Sequence, residues 1–82
     1  MKFNVKITIS LKGGMLDPEA RAIQHALSNL GFETESLSTA RLFEIALEAA
    51  DEQEANAKAA EMCERLLANP VIHSYTIEVA GQ

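Results

Sequence analysis

The first eleven residues alternate between apolar and polar side chains. The odd positions are apolar and the even positions are polar; the apolar ones are Phe3, Val5, Ile7, Ile9 and Leu11. A period of two that is rich in β-branched residues predicts a strand with one buried face. After this strand, Lys12-Gly13-Gly14-Met15-Leu16 breaks the alternation and is predicted to be a connection.

The next segment has the spacing of an amphipathic helix. Asp17 is suited to cap the first turn, and Pro18 fits the first helical position because its missing N–H would have no partner there. Gly31 is expected to end the helix in a left-handed conformation, with Phe32 packing back on Leu27 in a Schellman motif. A core-facing stripe is predicted from the i, i+3, i+4, i+7 spacing of Ile23, Ala26, Leu27 and Leu30.

The middle of the chain allows two interpretations. Helix propensity alone favours one helix from about Ala40 to Leu67. Alternation at Phe43, Ile45 and Leu47 favours a strand over Leu42 to Glu48 instead. With Asp51-Glu52-Gln53-Glu54 as a capping box for a later helix, we predict a hairpin. It pairs a weak, polar edge strand from Thr34 to Thr39 with the Leu42–Glu48 strand, and its bend lies near Thr39-Ala40-Arg41.

A second helix is predicted from Glu52 to about Ala68. Its apolar face consists of Ala55, Ala59, Met62, Cys63, Leu66 and Leu67. Pro70 cannot continue this helix and moves Asn69 out of helical geometry. A closing strand follows from Val71 to Val79, in which Tyr75 shares a face with the apolar residues and with His73.

The resulting order, β-α-β-β-α-β, predicts an α+β domain of the ferredoxin-like type. Right-handed crossovers place both helices on one face of an antiparallel sheet. The length of 82 residues predicts one domain over 1–82. Its core is expected to be shallow, because the chain has three Phe, one Tyr and no Trp. A disulfide cannot support it, since Cys63 is the only cysteine, so we expect a homo-oligomer or a subunit of a larger assembly.

Charge and hydropathy limit the possible functions. The net charge of −5 argues against a nucleic-acid partner, which would require a basic face. No apolar run approaches the length of a membrane span and no signal peptide is recognised, so we expect no membrane partner. A single unpaired thiol is typical of a reducing cytoplasm, which is the predicted location.

Candidate catalytic chemistry is sparse. His25 and His73 lack neighbours at metal-ligand spacing and are predicted to be surface or rim residues, and Cys63 to be a structural thiol. Lys12-Gly13-Gly14 before a helix could cradle an anion, but a turn that requires glycine is the favoured interpretation. We therefore predict no catalytic, metal or cofactor-binding residue in this chain.

The run Leu66-Leu67-Ala68-Asn69-Pro70-Val71-Ile72 before a strand that contains Tyr75 is a rare combination. It resembles the PurS family, the small subunits of phosphoribosylformylglycinamidine synthase. The loop from Lys12 to Pro18 and the two predicted helices follow that family's order and spacing. Departures occur at Glu19-Ala20, where the family often has Gln-Gly, and at Leu37-Ser38-Thr39-Ala40-Arg41, where it usually has Val-Arg-x-Gly-Lys. Ser38 has lost a basic group and Ala40 replaces a glycine, whereas Arg41 keeps a cation.

The resemblance implies a non-catalytic subunit in purine biosynthesis. It would associate with itself as a dimer or tetramer and bridge two partners, a large synthetase subunit that binds ATP and Mg and a glutaminase subunit. Interface or family-motif positions would be Lys12, Gly14, Asp17, Pro18, Arg41, Asn69, Pro70 and Tyr75. The main alternative is a free-standing ferredoxin-like regulatory domain that binds a metabolite at a dimer interface. A small enzyme of the acylphosphatase type is disfavoured, because its loop would need an arginine and Lys12–Leu16 has none.

Overall fold

The computed structural model describes residues 1–81 as three strands and two helices. Its elements are β1 (Lys2–Leu11), α1 (Pro18–Asn29), β2 (Ala40–Glu48), α2 (Glu52–Met62) with a π-helical turn (Cys63–Leu67), and β3 (His73–Gly81). The predicted α+β class and antiparallel sheet are confirmed. The first strand and both helix starts also lie where the sequence pattern predicts them.

β1 lies at the centre of the sheet, between β2 and β3, and pairs antiparallel with both. Ile7 is opposite Phe43 on one side and Ile77 on the other, so the apolar residues of all three strands share one face. α2 covers the β1–β3 part of this face with small side chains, Ala59 and Cys63, which are fully buried with Ile7. The small residues let the helix approach the sheet closely, which gives a thin core.

The predicted edge strand from Thr34 to Thr39 is wrong, and the sheet has three strands. This segment makes its polar contacts with the start and middle of α1 rather than with β2. The Gln24 amide donates to the Thr34 carbonyl over 3.2 Å, and the Thr39 hydroxyl donates to Asp17 Oδ2 over 2.9 Å. Ala40 and Arg41, predicted as a bend, are the first residues of β2. The alternative of one long helix from Ala40 to Leu67, which the alternation disfavours, is excluded because β2 occupies its first third.

Residues 12–39 form an arm, which leaves the sheet where β1 ends and returns to the same end where β2 begins. α1 begins and ends as predicted, with Asp17 capping Ala20 N–H, Gly31 at a φ of 97°, and Phe32 N–H donating to the Leu27 carbonyl. α1 makes little contact with the strands of its own chain, and Ala20 is its one buried residue. The radius of gyration is therefore 16.2 Å, against about 12 Å for a compact chain of this length.

The ferredoxin-like placement of both helices on the sheet is thus not achieved within one chain. The predicted core stripe of α1 faces outward: Ile23 is 40% exposed, Leu30 73%, and the following Phe32 62%. After α1 the chain returns along the helix to the end of the sheet where β1 ends and β2 begins.

The C-terminal end of α2 differs from the prediction because its last turn is π-helical. Ala68 N–H donates to the Cys63 carbonyl five residues back, over 3.0 Å. This wider turn brings Ala68 into the core and rotates Leu66 outward, where it is 83% exposed. Leu66 is therefore not part of the apolar face to which the regular helical period assigned it. β3 begins at His73, two residues later than predicted, and Val71 is exposed before it.

Candidate functional site

Three connections meet at one end of the sheet. β1 ends there at Leu11, β2 begins at Ala40 and β3 begins at His73, so segments 12–18, 39–41 and 68–73 are neighbours. We call these three segments the sheet-end surface. It contains seven of the eight positions selected from the sequence, namely Lys12, Gly14, Asp17, Pro18, Arg41, Asn69 and Pro70. The eighth, Tyr75, lies two residues further along β3, opposite Ile9.

Lys12 joins the first of these segments to the third. Its backbone N–H donates to the Ile72 carbonyl over 2.8 Å, and its ammonium group donates to the Pro70 carbonyl over 2.7 Å. Asn69 shapes the turn from within, because its side-chain Oδ1 accepts the Val71 N–H over 3.0 Å. The turn that follows α2 is therefore held both by its own asparagine and by a lysine 58 positions away in sequence.

Asp17 joins the arm to the start of β2. Its Oδ1 accepts the Ala20 N–H over 3.0 Å and its Oδ2 accepts the Thr39 hydroxyl. These hydrogen bonds, with Ala20 contributing most, lower the pKa of the Asp17 carboxyl below its ordinary value. The contribution of the carboxylate to stability is therefore present above that ordinary value and is lost as the pH falls through the lowered one.

The Lys12-Gly13-Gly14 loop has the features of a structural turn. Gly14 has a φ of 86°, a region that favours glycine, and Met15 N–H donates to the Lys12 carbonyl. The Lys12 ammonium group donates a hydrogen bond to the Pro70 carbonyl, and the Asp17 carboxylate accepts one from the Ala20 N–H at the start of α1. Because these groups already have partners within the chain, the loop is better explained as a structural turn than as a site that binds an anion.

A cleft of about 290 Å³ lies where the arm meets the sheet. Its charged side chains have both signs, with Asp17 and Glu19 from the arm and Arg41 from β2. The Arg41 guanidinium lies 5.2 Å from the centre of the Phe43 ring, within the range of a cation–π contact. Such a mixture suits polar contact with a protein surface, where complementary charges fix the register.

Tyr75 and Glu64 connect β3 to the π-helical turn. The Tyr75 hydroxyl donates to Glu64 Oε1 over 2.8 Å, and this hydrogen bond to a carboxylate raises the pKa of the phenol. Cys63, next to Glu64, is fully buried as predicted, and burial raises the pKa of its thiol. Both effects hold the groups in their neutral forms, which is the opposite of what activates a nucleophile.

The Tyr75–Glu64 contact predicts a phenol that titrates above the ordinary value of 10. Because Tyr75 is the only tyrosine and tryptophan is absent, absorbance near 295 nm follows this group alone. We expect Glu64→Gln to bring the midpoint back towards 10, and Glu61→Gln, on the same helical segment, to leave it unchanged. The stabilising contribution of the phenol is present below pH 10 and disappears as the pH rises through its native pKa. Equal midpoints in the native chain and in Glu64→Gln would contradict this prediction.

Two hydrogen bonds at this end of the sheet have no signal in the sequence. Thr39 reaches Asp17 across 22 positions, and His73 accepts a hydrogen bond from Asn69 although its spacing indicated only a rim residue. His25 lies exposed on α1, as predicted. Among residues 1–81, no three His, Cys, Asp or Glu side chains cluster closely enough to hold a metal ion. No helix in the same range has the length and apolar character needed to cross a membrane.

The sequence of this chain matches the family model of PurS, phosphoribosylformylglycinamidine (FGAM) synthase, over residues 4–81. The chain belongs to the PurS family. The PurS subunit of phosphoribosylformylglycinamidine synthase from Archaeoglobus fulgidus is 49% identical over 72 residues, which cover 87% of this chain and 90% of that protein. That family membership makes the chain a PurS subunit of phosphoribosylformylglycinamidine synthase.

Solved PurS structures have the same fold. The crystal structure of Methanocaldococcus jannaschii PurS, a subunit of formylglycinamide ribonucleotide amidotransferase in the purine biosynthetic pathway, superimposes with a TM-score of 0.88. It is 40% identical, and the match covers 98% of each chain. A chain in the PurLQS structure from Thermotoga maritima has a TM-score of 0.89 over 98% of this chain, but its 23% identity shows the fold alone.

The departure of this PurS chain from its family pattern near residue 40 has a structural counterpart. Ala40 is paired with Ser10 and Arg41 with Ile9, so both have the extended backbone of β2. No glycine conformation is required at either position. The alanine that replaces the family glycine is therefore compatible with the fold, and the cation of Arg41 remains at the cleft.

Proposed function

We propose that this chain is the non-catalytic subunit that bridges the synthetase and glutaminase subunits of FGAM synthase. The strongest support for this proposal is the match to the family model over residues 4–81. Relatives that align over nearly their whole length support it as well. In this proposal the large subunit binds ATP and Mg and converts formylglycinamide ribonucleotide to its amidine with ammonia released from glutamine. The present chain fixes the relative placement of the two active sites.

We propose that the chain works as a homo-oligomer in which α1 of one copy covers the sheet of another. Two apolar surfaces of the chain lack a covering element: the α1 stripe, and the β2 half of the sheet face, where Phe43 and Ile45 are only partly buried. The arm holds them apart within one chain. A two-fold exchange covers both at once, because each copy supplies one helix and one open half-sheet.

We propose that the sheet-end surface contacts the partner subunits. Its segments present backbone and side-chain polar groups that are fixed by Lys12, Asp17 and Asn69, and such preorganisation lowers the entropic cost of binding. Arg41 supplies an exposed cation beside the cleft. We further propose that residues 1–82 form one domain and that it works in the cytoplasm, where the free thiol of Cys63 stays reduced.

Reconstitution with the large and glutaminase subunits of the same organism tests the bridging function. We expect glutamine-dependent amidine formation to require all three chains. Ammonium salt, supplied in place of glutamine, should restore activity to the large subunit without the glutaminase, because ammonia then reaches the active site from solution. Full glutamine-dependent activity of the other two chains alone would refute the proposal.

The same assay tests the sheet-end surface. Arg41→Ala is expected to weaken assembly about tenfold, the effect of one truncated interface cation. Arg21→Ala removes an equal charge from α1 outside this surface and should leave assembly unchanged. Pull-down of the two partners at several concentrations of this chain measures both. Equal assembly by the two variants would place the partner contact elsewhere.

A further inference from the structure

His73 and Asn69 hold each other by two hydrogen bonds. The Asn69 backbone N–H donates to the His73 ring nitrogen Nδ1 over 2.8 Å, and the His73 backbone N–H donates to the Asn69 carbonyl over 2.7 Å. The first bond requires a neutral imidazole with its proton on Nε2, since Nδ1 must be an acceptor. The ring therefore connects the chain leaving α2 to the first residue of β3.

Protonation of the His73 ring converts the hydrogen bond at Nδ1 into a repulsive contact. In the imidazolium both nitrogens are donors, so Nδ1–H would face the Asn69 N–H and the hydrogen bond is lost. The remaining contacts of the turn do not involve the ring, because Val71 N–H still donates to Asn69 Oδ1 and Lys12 still donates to Pro70. Protonation therefore breaks the hydrogen bond between Asn69 and the His73 ring and leaves the other hydrogen bonds of the turn intact.

His73 is half-buried at the cleft, whose charged side chains come from the arm and from β2. The arm contributes Asp17 and Glu19, and β2 contributes Arg41. Lys12, beyond the end of β1, donates to the Pro70 carbonyl, and Glu64 and Arg65 of the π-helical turn are bound to Tyr75 and Glu61. The charged groups of the cleft therefore have both signs. The decisive local contact is the hydrogen bond at Nδ1.

We propose that His73 is a pH-sensitive clasp for the turn at residues 69–73, closed when the imidazole is neutral and open when it is protonated. Histidine is the common pH sensor of proteins, because its imidazole is stable in both the neutral and the protonated form. Opening loosens the third segment of the sheet-end surface without unfolding the sheet, since β3 keeps its pairing with β1. This inference is independent of the bridging function, because the clasp lies wholly within one chain.

Nuclear magnetic resonance of the full chain tests the clasp between pH 8 and pH 5. A through-hydrogen-bond ¹⁵N–¹⁵N coupling between Asn69 N and His73 Nδ1 is expected at pH 8 and should vanish at lower pH if the ring becomes protonated. Protection of the Asn69 amide from exchange, corrected for the intrinsic rate, should fall about fivefold over the same range, the equivalent of one neutral hydrogen bond.

Two asparagine variants separate the clasp from general acid effects. His73→Asn keeps a side-chain acceptor that does not titrate, so Asn69 protection should persist to pH 5. His25→Asn removes the other histidine of the chain, and should leave the pH dependence as in the unaltered chain. Absence of the coupling at pH 8, or an Asn69 protection that falls equally in His73→Asn, would overturn the proposal.

Discussion

Ile23→Asp combined with Leu30→Asp is expected to convert the oligomer to monomers. Both side chains are exposed on the arm of a single chain but would be buried against β2 of a second copy in the proposed exchange. Burying a carboxylate without a partner is strongly unfavourable, so we expect the dissociation constant to rise at least about 100-fold, equivalent to about 3 kcal/mol. Sedimentation equilibrium over a range of protein concentrations measures this change.

The matched control is His25→Asp, which adds a carboxylate to the other side of the same helix. This substitution also introduces an aspartate into α1, but position 25 lies outside the apolar stripe. We therefore expect the mass of the oligomer to stay the same. Circular dichroism of each variant tests whether the elements still form. An unchanged mass for the stripe variant, with its helix content intact, would show that α1 does not form the interface.

Ile7→Ala is expected to destabilise the fold by about 3 kcal/mol, the usual cost of removing a buried aliphatic side chain and leaving a cavity. Ile7 is fully buried at the centre of β1, between Phe43 and Ile77 and beneath α2. A domain of this size has only about 4–12 kcal/mol of stability in total, so one substitution removes a large part of it. Urea unfolding gives the difference when both chains are compared at one protein concentration, because oligomerisation adds to the apparent stability.

Thr8→Ala is the matched control for this experiment. Thr8 is the next residue of the same strand and is only partly buried on the opposite, polar face. We expect a change below about 1 kcal/mol, which reflects β propensity and one cross-strand pair. A similar loss in both variants would mean that the two faces of the sheet are equally packed, contrary to the burial pattern.

The segments that carry the resemblance to the PurS family are also those that predict local structure most strongly. Asp17-Pro18, Leu30-Gly31 and Asn69-Pro70 each set a helix boundary, and each boundary lies where the sequence predicts it to within two residues of chain. The hydrogen bonds that begin and end a helix join residues four or five positions apart or fewer, so the residues that determine a helix boundary are close in sequence. The candidate site could be anticipated only as a set of motif positions, because nothing local shows that these three connections meet.

The sequence by itself determined where β1 and both helices begin, which face of β1 is buried, and that α2 ends before Pro70. Tertiary structure alone decided that residues 34–39 return along α1, that the α1 stripe faces away from its own sheet, and that the π-helical turn exposes Leu66. Periodicity reports which side of an element is apolar, but not what covers it. That depends on the path of the chain and on contacts such as Asp17–Thr39 and Lys12–Pro70, which join residues far apart in sequence.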